Sequence, residues 1–244
     1  MIWLPTWLGE AYCAFFSQSK KILTVRDAAD ALEVTETKAT LILSRLAQAG
    51  WMERVGRGRY RVVEPSEIFK RIAILKEIGR NLARVPQKEF ISPLRRFMEL
   101  VVKYYGSRLV SAALFGSIAR GDATPSSDID ILLIIEGLPK RVGERQDEVS
   151  KIKLQFYGLR EHWLLPAPVS LLLYTPDEAR EFHDVYLDMT RHAIVLFDGG
   201  NLLTKKLAEL LTRLQELKSE RHELDGKPVW VLAPHLQRGE EVKL

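Results

Sequence analysis

The stretch that decides the fold is Leu109–Ile135, LVSAALFGSIARGDATPSSDIDILLII. An apolar run ends at Gly116-Ser117, a polar loop of ten residues follows, and Asp128-Ile129-Asp130 opens a second apolar run. Side chains on a strand alternate faces with period two, so two aspartates two apart point the same way. Anions that close repel, and burial raises at least one pKa unless a cation shares the site. Oxygen-only ligands suit a hard ion such as Mg²⁺ or Mn²⁺, which takes one or two carboxylates and completes its shell with water and phosphate oxygens. Gly116 has no side chain to keep a phosphate from the backbone. The turn Ser117-Ile118-Ala119-Arg120 reads as a helix N-terminus whose N–H groups face that anion.

These positions resemble the nucleotidyltransferase superfamily of DNA polymerase β, and within it the minimal nucleotidyltransferases. The family pattern is an apolar strand, Gly-Ser, about ten residues, then Asp-x-Asp in a second strand. The extended form GSxARGxxxxxSDxD is matched through Gly116, Ser117, Arg120, Gly121, Ser127, Asp128 and Asp130. The resemblance implies an α+β domain built on a small mixed sheet flanked by helices. It implies nucleotidyl transfer from an NTP, expected to be ATP, with Asp128 and Asp130 as catalytic metal ligands. Gly116, Ser117, Arg120 and Ser127 are then the nucleotide-binding residues. Active members carry a third carboxylate on a later strand, just before Thr-Pro and two acids. Here Val169-Ser170-Leu171-Leu172-Leu173-Tyr174-Thr175-Pro176-Asp177-Glu178 puts Ser170 at that place. Serine is a weak ligand and a poor base, so either Asp122, His183 or His192 supplies the missing group, or the domain binds nucleotide without transferring it.

The rest of the chain sets the context. Its 244 residues are 46% apolar and 28% charged, ordinary for a globular protein of one large or two modest domains. No apolar run approaches the length of a membrane span, and MIWLPTWLGEAY has no basic start and includes Pro5 and Glu10, so it is not read as a signal peptide. A lone cysteine, Cys13, excludes an internal disulfide and a cysteine-based zinc site, and a cytoplasmic protein is expected. Charge is uneven: residues 66–108 carry 10 Lys/Arg against 4 Asp/Glu, and residues 109–200 carry 9 against 14. A basic block before an acidic one suits a polyanionic partner, or else is a solvated helix face.

Ahead of the decisive stretch, Leu8–Phe16 reads as a helix. Thr24 caps a second, Val25–Leu32, and Thr35 a third, Glu36–Ala49, closed by Gly50. WMERVGRGRYRVV then forms a hairpin turning at Gly56-Arg57-Gly58. The order over residues 6–64 resembles a winged helix-turn-helix, whose second helix reads the major groove. That assignment offers Thr35, Thr37, Lys38, Thr40, Arg45 and Gln48 to bases, and Arg57, Arg59 and Arg61 with Tyr60 between them to the backbone. A structural or dimerising role for the same domain stays open. The expected limits are 1–65 for the winged helix, 66–90 for a basic helical connector and 91–244 for the nucleotidyltransferase domain with its tail. Within these, Ser66–Arg84 reads as a helix burying Ile68, Ile72, Leu75 and Leu82, and Ser92 as the N-cap of a helix ending at Tyr105-Gly106. Gly143–Phe156 reads as a crossover helix, Val169–Tyr174 as a strand, Asp177–Leu187 and Asn201–Leu217 as helices, and Pro228–Leu232 as a strand after Asp225-Gly226. Parts of this tail resemble archaeal winged-helix nucleotidyltransferases. The N-terminal half resembles winged-helix antitoxins of abortive-infection systems. The expected partners are DNA through the winged helix, an RNA end or a partner protein as acceptor, and a second copy in a homodimer, with no membrane. A DNA-binding regulator or antitoxin with a degenerate nucleotide site is the second reading.

Overall fold

A computed structural model describes residues 4–18, 20–159, 167–224 and 227–235. The chain forms two compact units, Met1–Ile74 and Leu75–Leu244.

In the first unit, α1 (Thr6–Phe16) buries Leu8, Ala11, Tyr12 and Phe15 along one face. The short strand β1 (Ile22–Thr24), unanticipated from the sequence, leads straight into α2 (Val25–Leu32). Thr24 and Asp27 form a reciprocal capping box there, which explains why the strand stops where the helix starts. Helix α3 (Glu36–Gln48), capped by Thr35, packs Ala39, Ile42, Leu43 and Leu46 inward. The hairpin β2 (Met52–Gly56) and β3 (Arg59–Val62) follows, and β1 pairs antiparallel to β3, giving the sheet order β1-β3-β2. The alternation in β3 corrects one expectation: Tyr60 points into the core at 5% exposure while Arg59 and Arg61 point out. Tyr12 Oη donates to the Val63 carbonyl at 2.5 Å, and burial pushes that phenol up to about 12.

Helix α4 (Pro65–Asn81) is followed by a 3₁₀ turn, Leu82–Arg84. Its buried stripe is Ile68, Arg71, Ile74, Ile78 and Leu82, with Ile72 and Leu75 at its margin. The expected stripe was therefore rotated, because Arg71 takes an inward place by pairing with Glu53 at 3.0 Å and Glu67 at 3.3 Å.

The second unit is built on a four-stranded mixed sheet, order β6-β5-β4-β7, from β4 (Leu109–Phe115), β5 (Ile129–Ile135), β6 (Val169–Tyr174) and β7 (Ile194–Asp198). β5 and β6 run parallel, and the other neighbours are antiparallel. A parallel pair needs a crossover, supplied by α7 (Val142–Tyr157). Helix α5 (Ile91–Tyr105) packs beside α7. It starts after a 3₁₀ turn, Lys88–Phe90, so Ser92 lies inside the first turn and makes no cap bond. The expected helix Asp177–Leu187 is also corrected. A 3₁₀ turn, Glu178–Arg180, is stopped at Glu181, and α8 (Val185–His192) follows. Helix α9 (Leu202–Glu216) lays Leu203, Leu207, Leu210 and Leu214 against this core, and its first turn is held by Asp198, which accepts from the Thr204 amide at 2.8 Å. A hairpin of β8 (Glu220–Leu224) and β9 (Lys227–Val231) closes the described chain. The proposed turn Asp225-Gly226 lies outside the described residues.

Candidate active site

Antiparallel pairing of β4 with β5 sets Phe115 opposite Asp130, and parallel pairing of β5 with β6 sets Asp130 beside Ser170. The Gly116 turn, the second aspartate and the serine that stands for the third carboxylate thus meet at one end of three adjacent strands. Helix α6 (Gly116–Arg120) is a single short turn closed by Gly121, whose amide donates to the Ser117 carbonyl at 2.9 Å.

The role of Gly116 is more specific than backbone access for a phosphate. Its φ is +71°, in the left-handed region, and a Cβ there would stand 2.2 Å from Asp130 Oδ2. The missing side chain is the space in which the carboxylate sits. Asp130 is half-buried and Asp128 exposed. Burial pushes the Asp130 carboxyl above the usual range; a hydrogen bond from Ser170 opposes this, the Asp128 charge adds to it, and Arg120 opposes it. Asp128, Arg120 and Ser170 therefore all act on Asp130. Arg120 also pairs with exposed Asp122 at 3.1 Å.

The loop between the turn and the aspartates is tied down. Gln87 donates to the Ala123 carbonyl at 2.9 Å and accepts from the Ala123 amide at 3.1 Å. Ser127 Oγ accepts from the Thr124 amide at 2.9 Å, so its hydroxyl shapes the loop. Sequence reasoning missed Gln87, since nothing near it marks a role, and also Lys153 on α7, whose ammonium interacts with Asp128. His183 is not brought to the aspartates. It stacks on Tyr174 with centroids 4.1 Å apart and bonds the Glu178 carbonyl at 2.9 Å. Tyr174 is four residues along β6 from Ser170, about 13 Å at strand rise. A cavity of about 380 Å³ opens at that end, lined by Val142, Arg145, Gln146, Tyr174 and His183 among others. His192 is an exposed residue at the end of α8.

The donor set fits one hard divalent ion. Two carboxylates supply oxygen, and a phosphate chain would complete the shell. Among the described residues no group of three or more His, Cys, Asp or Glu gathers, consistent with serine at position 170.

In the first unit, Thr37, Lys38, Thr40, Arg45 and Gln48 are exposed on α3, with Arg45 over the Trp7 ring at 5.4 Å. Arg57 and Arg59 are exposed on the hairpin, as is Arg54, whereas Arg61 is paired with Glu53. Among the described residues no helix is long and apolar enough to cross a membrane.

Residues 94–196 match the model of the nucleotidyltransferase domain, and residues 10–63 that of the AbiEi antitoxin transcriptional regulator. A Methanocaldococcus jannaschii protein with the provisional name protein adenylyltransferase is 39% identical over 83 residues, which is 33% of this chain and 56% of that protein, so the chain spans little more than half of the relative's length. Among solved structures, a toxin-antitoxin complex with AMP-PNP aligns at 17% identity and TM-score 0.34, over 50% of this chain and 90% of that one. A provisionally described nucleotidyltransferase of Sulfolobus solfataricus aligns at 22% identity and TM-score 0.27, over 56% and 90%. The chain joins a nucleotidyltransferase domain to an N-terminal domain of the AbiEi antitoxin type.

Proposed function

We propose that the chain transfers a nucleoside monophosphate from an NTP to an acceptor hydroxyl. The observation that carries this is the Asp130 carboxylate seated on the bare face of Gly116, beside Asp128 and Ser170. In the step, the acceptor oxygen bonds to the α-phosphorus, the bond from that phosphorus to the bridging oxygen breaks, pyrophosphate leaves, and the acceptor proton passes to solvent or a nearby base. A bound Mg²⁺ or Mn²⁺ held by Asp128 and Asp130 would stabilise the charge developing on the phosphates. The protein's own part is positional: the Gly116-Ser117 turn and Arg120 orient the phosphate chain, and Gln87 holds the loop that brings Asp128 into place.

ATP is the proposed donor and an RNA end or a protein the proposed acceptor, the adenylyltransferase name of the archaeal relative supporting ATP and protein. Residues 1–65 are proposed as a winged helix that binds DNA through Thr37, Lys38, Arg45, Arg57 and Arg59, with 66–90 a basic connector and 91–244 the catalytic domain. A regulator that binds nucleotide without turnover is the second reading, favoured by Ser170 in register with Asp130 and by the antitoxin-type first domain.

The test is incubation with each labelled NTP, Mg²⁺ or Mn²⁺, and whole-cell RNA and protein. Label should pass to one acceptor class, and the double variant Asp128→Asn, Asp130→Asn should lose both transfer and metal-dependent NTP binding. Binding without transfer under every condition favours the regulator.

A further inference from the structure

Lys153 on α7 has no part in the reading above, yet the fold brings it to the same end of the sheet. It lies one helical turn before Tyr157, and residues four apart share a helix face. Tyr157 Oη accepts from the Val169 amide at 3.3 Å. Val169 stands opposite Ile129, and Ser170 opposite Asp130. This bond sets α7 against the point where β5 and β6 begin, with Lys153 on the face turned that way. The lysine is half-buried, burial holds its pKa below the usual lysine range, and the Asp128 charge opposes that lowering. Burying a compact ammonium is costly unless an anion meets it, and Asp128 is a negative charge of the site that acts on it.

We propose that Lys153 is a phosphate-binding residue of the nucleotide site, its ammonium meeting the β/γ-phosphates of the NTP across from Asp128. The argument concerns charge. A carboxylate at position 170 would help hold a second divalent cation, and a neutral serine hydroxyl does not. One divalent ion leaves much of a triphosphate's charge uncompensated. A lysine binds phosphate as a point charge and needs no planar partner. Lys153, fixed by the crossover helix, supplies that positive charge from the protein itself. The inference rests on the nucleotide-binding reading.

The test is calorimetric titration of the full chain with ATP and with AMP in Mg²⁺, for wild type, Lys153→Met and Lys153→Arg, with the melting temperature of each. Losing a hydrogen bond to a charged group predicts that Lys153→Met weakens ATP about 10- to 100-fold. AMP affinity should stay within about twofold and the fold should be retained, because the lost contact is to distal phosphates. Lys153→Arg, which keeps the charge, should remain within about fivefold of wild type for ATP. Wild-type ATP affinity in Lys153→Met overturns the role of Lys153 and leaves the nucleotide reading standing. Equal losses of ATP and AMP also overturn it, since a packing role would act on both. A wild type that binds neither nucleotide removes the nucleotide reading, and this inference with it.

Discussion

Replacing Gly116 by alanine adds one methyl group at the point where the turn meets the carboxylate. The backbone there has φ +71°, and alanine in the left-handed region costs about 1–2 kcal/mol. The new Cβ would lie 2.2 Å from Asp130 Oδ2, 3.1 Å from Cγ and 3.3 Å from Cβ. Ordinary contact then requires the oxygen to retreat by about 1 Å. An Mg²⁺ ion tolerates little change in ligand distance, and a shift of about 1 Å in a positioned group costs about 100-fold in rate. Gly121→Ala is the matched control. Its φ is +88° and its Cβ would meet only Pro86, at 3.1 Å from Cβ, so it carries a similar backbone cost of about 1–2 kcal/mol and leaves Asp130 alone. Urea unfolding gives the stability of each variant, and Mg²⁺-dependent ATP binding with initial pyrophosphate release gives the site. Similar destabilisation with an additional loss of about 100-fold or more in turnover for Gly116→Ala alone is expected. Equal turnover and ATP affinity in the two variants would refute the coupling of Gly116 to Asp130.

In full-length protein titrated with duplex DNA, Arg57→Ala with Arg59→Ala should shallow the slope of log K against log salt by roughly two units, at about 0.9 per phosphate contact. Adding Arg61→Ala should change it by less than one further contact, because Arg61 is already paired with Glu53, and a full further step would mean that pair opens on DNA. Glu178→Gln should destabilise the protein by about 1–3 kcal/mol, towards the lower end because the Glu178 side chain is 38% exposed. It breaks the twofold contact with buried Arg145, at 2.7 and 2.9 Å. Arg145 holds the Glu178 carboxyl at about 2, below its ordinary 4.5. A lowered folded-state pKa contributes stability above the ordinary value that is lost as pH falls through the folded one. The urea midpoints of wild type and Glu178→Gln should therefore converge between pH about 5 and about 2, and a constant gap across that range would count against the pairing.

The central strands, the crossover helix and the Gly-Ser and Asp-x-Asp turn were legible because local sequence determines them: apolar runs of strand length, a glycine without a side chain at the turn and carboxylates at period two. The strands β1 and β7 were not. Ile22–Thr24 is only three residues long and ends in a helix cap, and Ile194–Asp198 follows α8 with only Ala193 between, so neither has turn residues on both sides to announce it. The break at Glu181–Asp184 was hidden because Glu178 spends its carboxylate on Arg145 and on the Thr175 amide, distant and local partners that periodicity does not reveal. Among site residues, the register of Ser170 with Asp130 follows the motif spacing. Gln87 and Lys153 come to the site through chain crossings, and no run of neighbouring residues encodes those.

Among the described residues strand β6 lies at the margin of its sheet, and it reads VSLLLY, six residues without a charge or a proline. Such a strand is a template on which another chain can stack, the first step of aggregation. Helix α7 obstructs it at both ends. Tyr157 takes up the amide of Val169, and Arg145 donates to the carbonyl of Leu173 at 3.3 Å. The open length is reduced to the middle of the strand around Leu171, too short for a foreign strand to register. The sixteen residues of the helix that carries Lys153 are thus also a guard on colloidal stability, and changes in this helix will be felt in the test tube as much as in the chemistry.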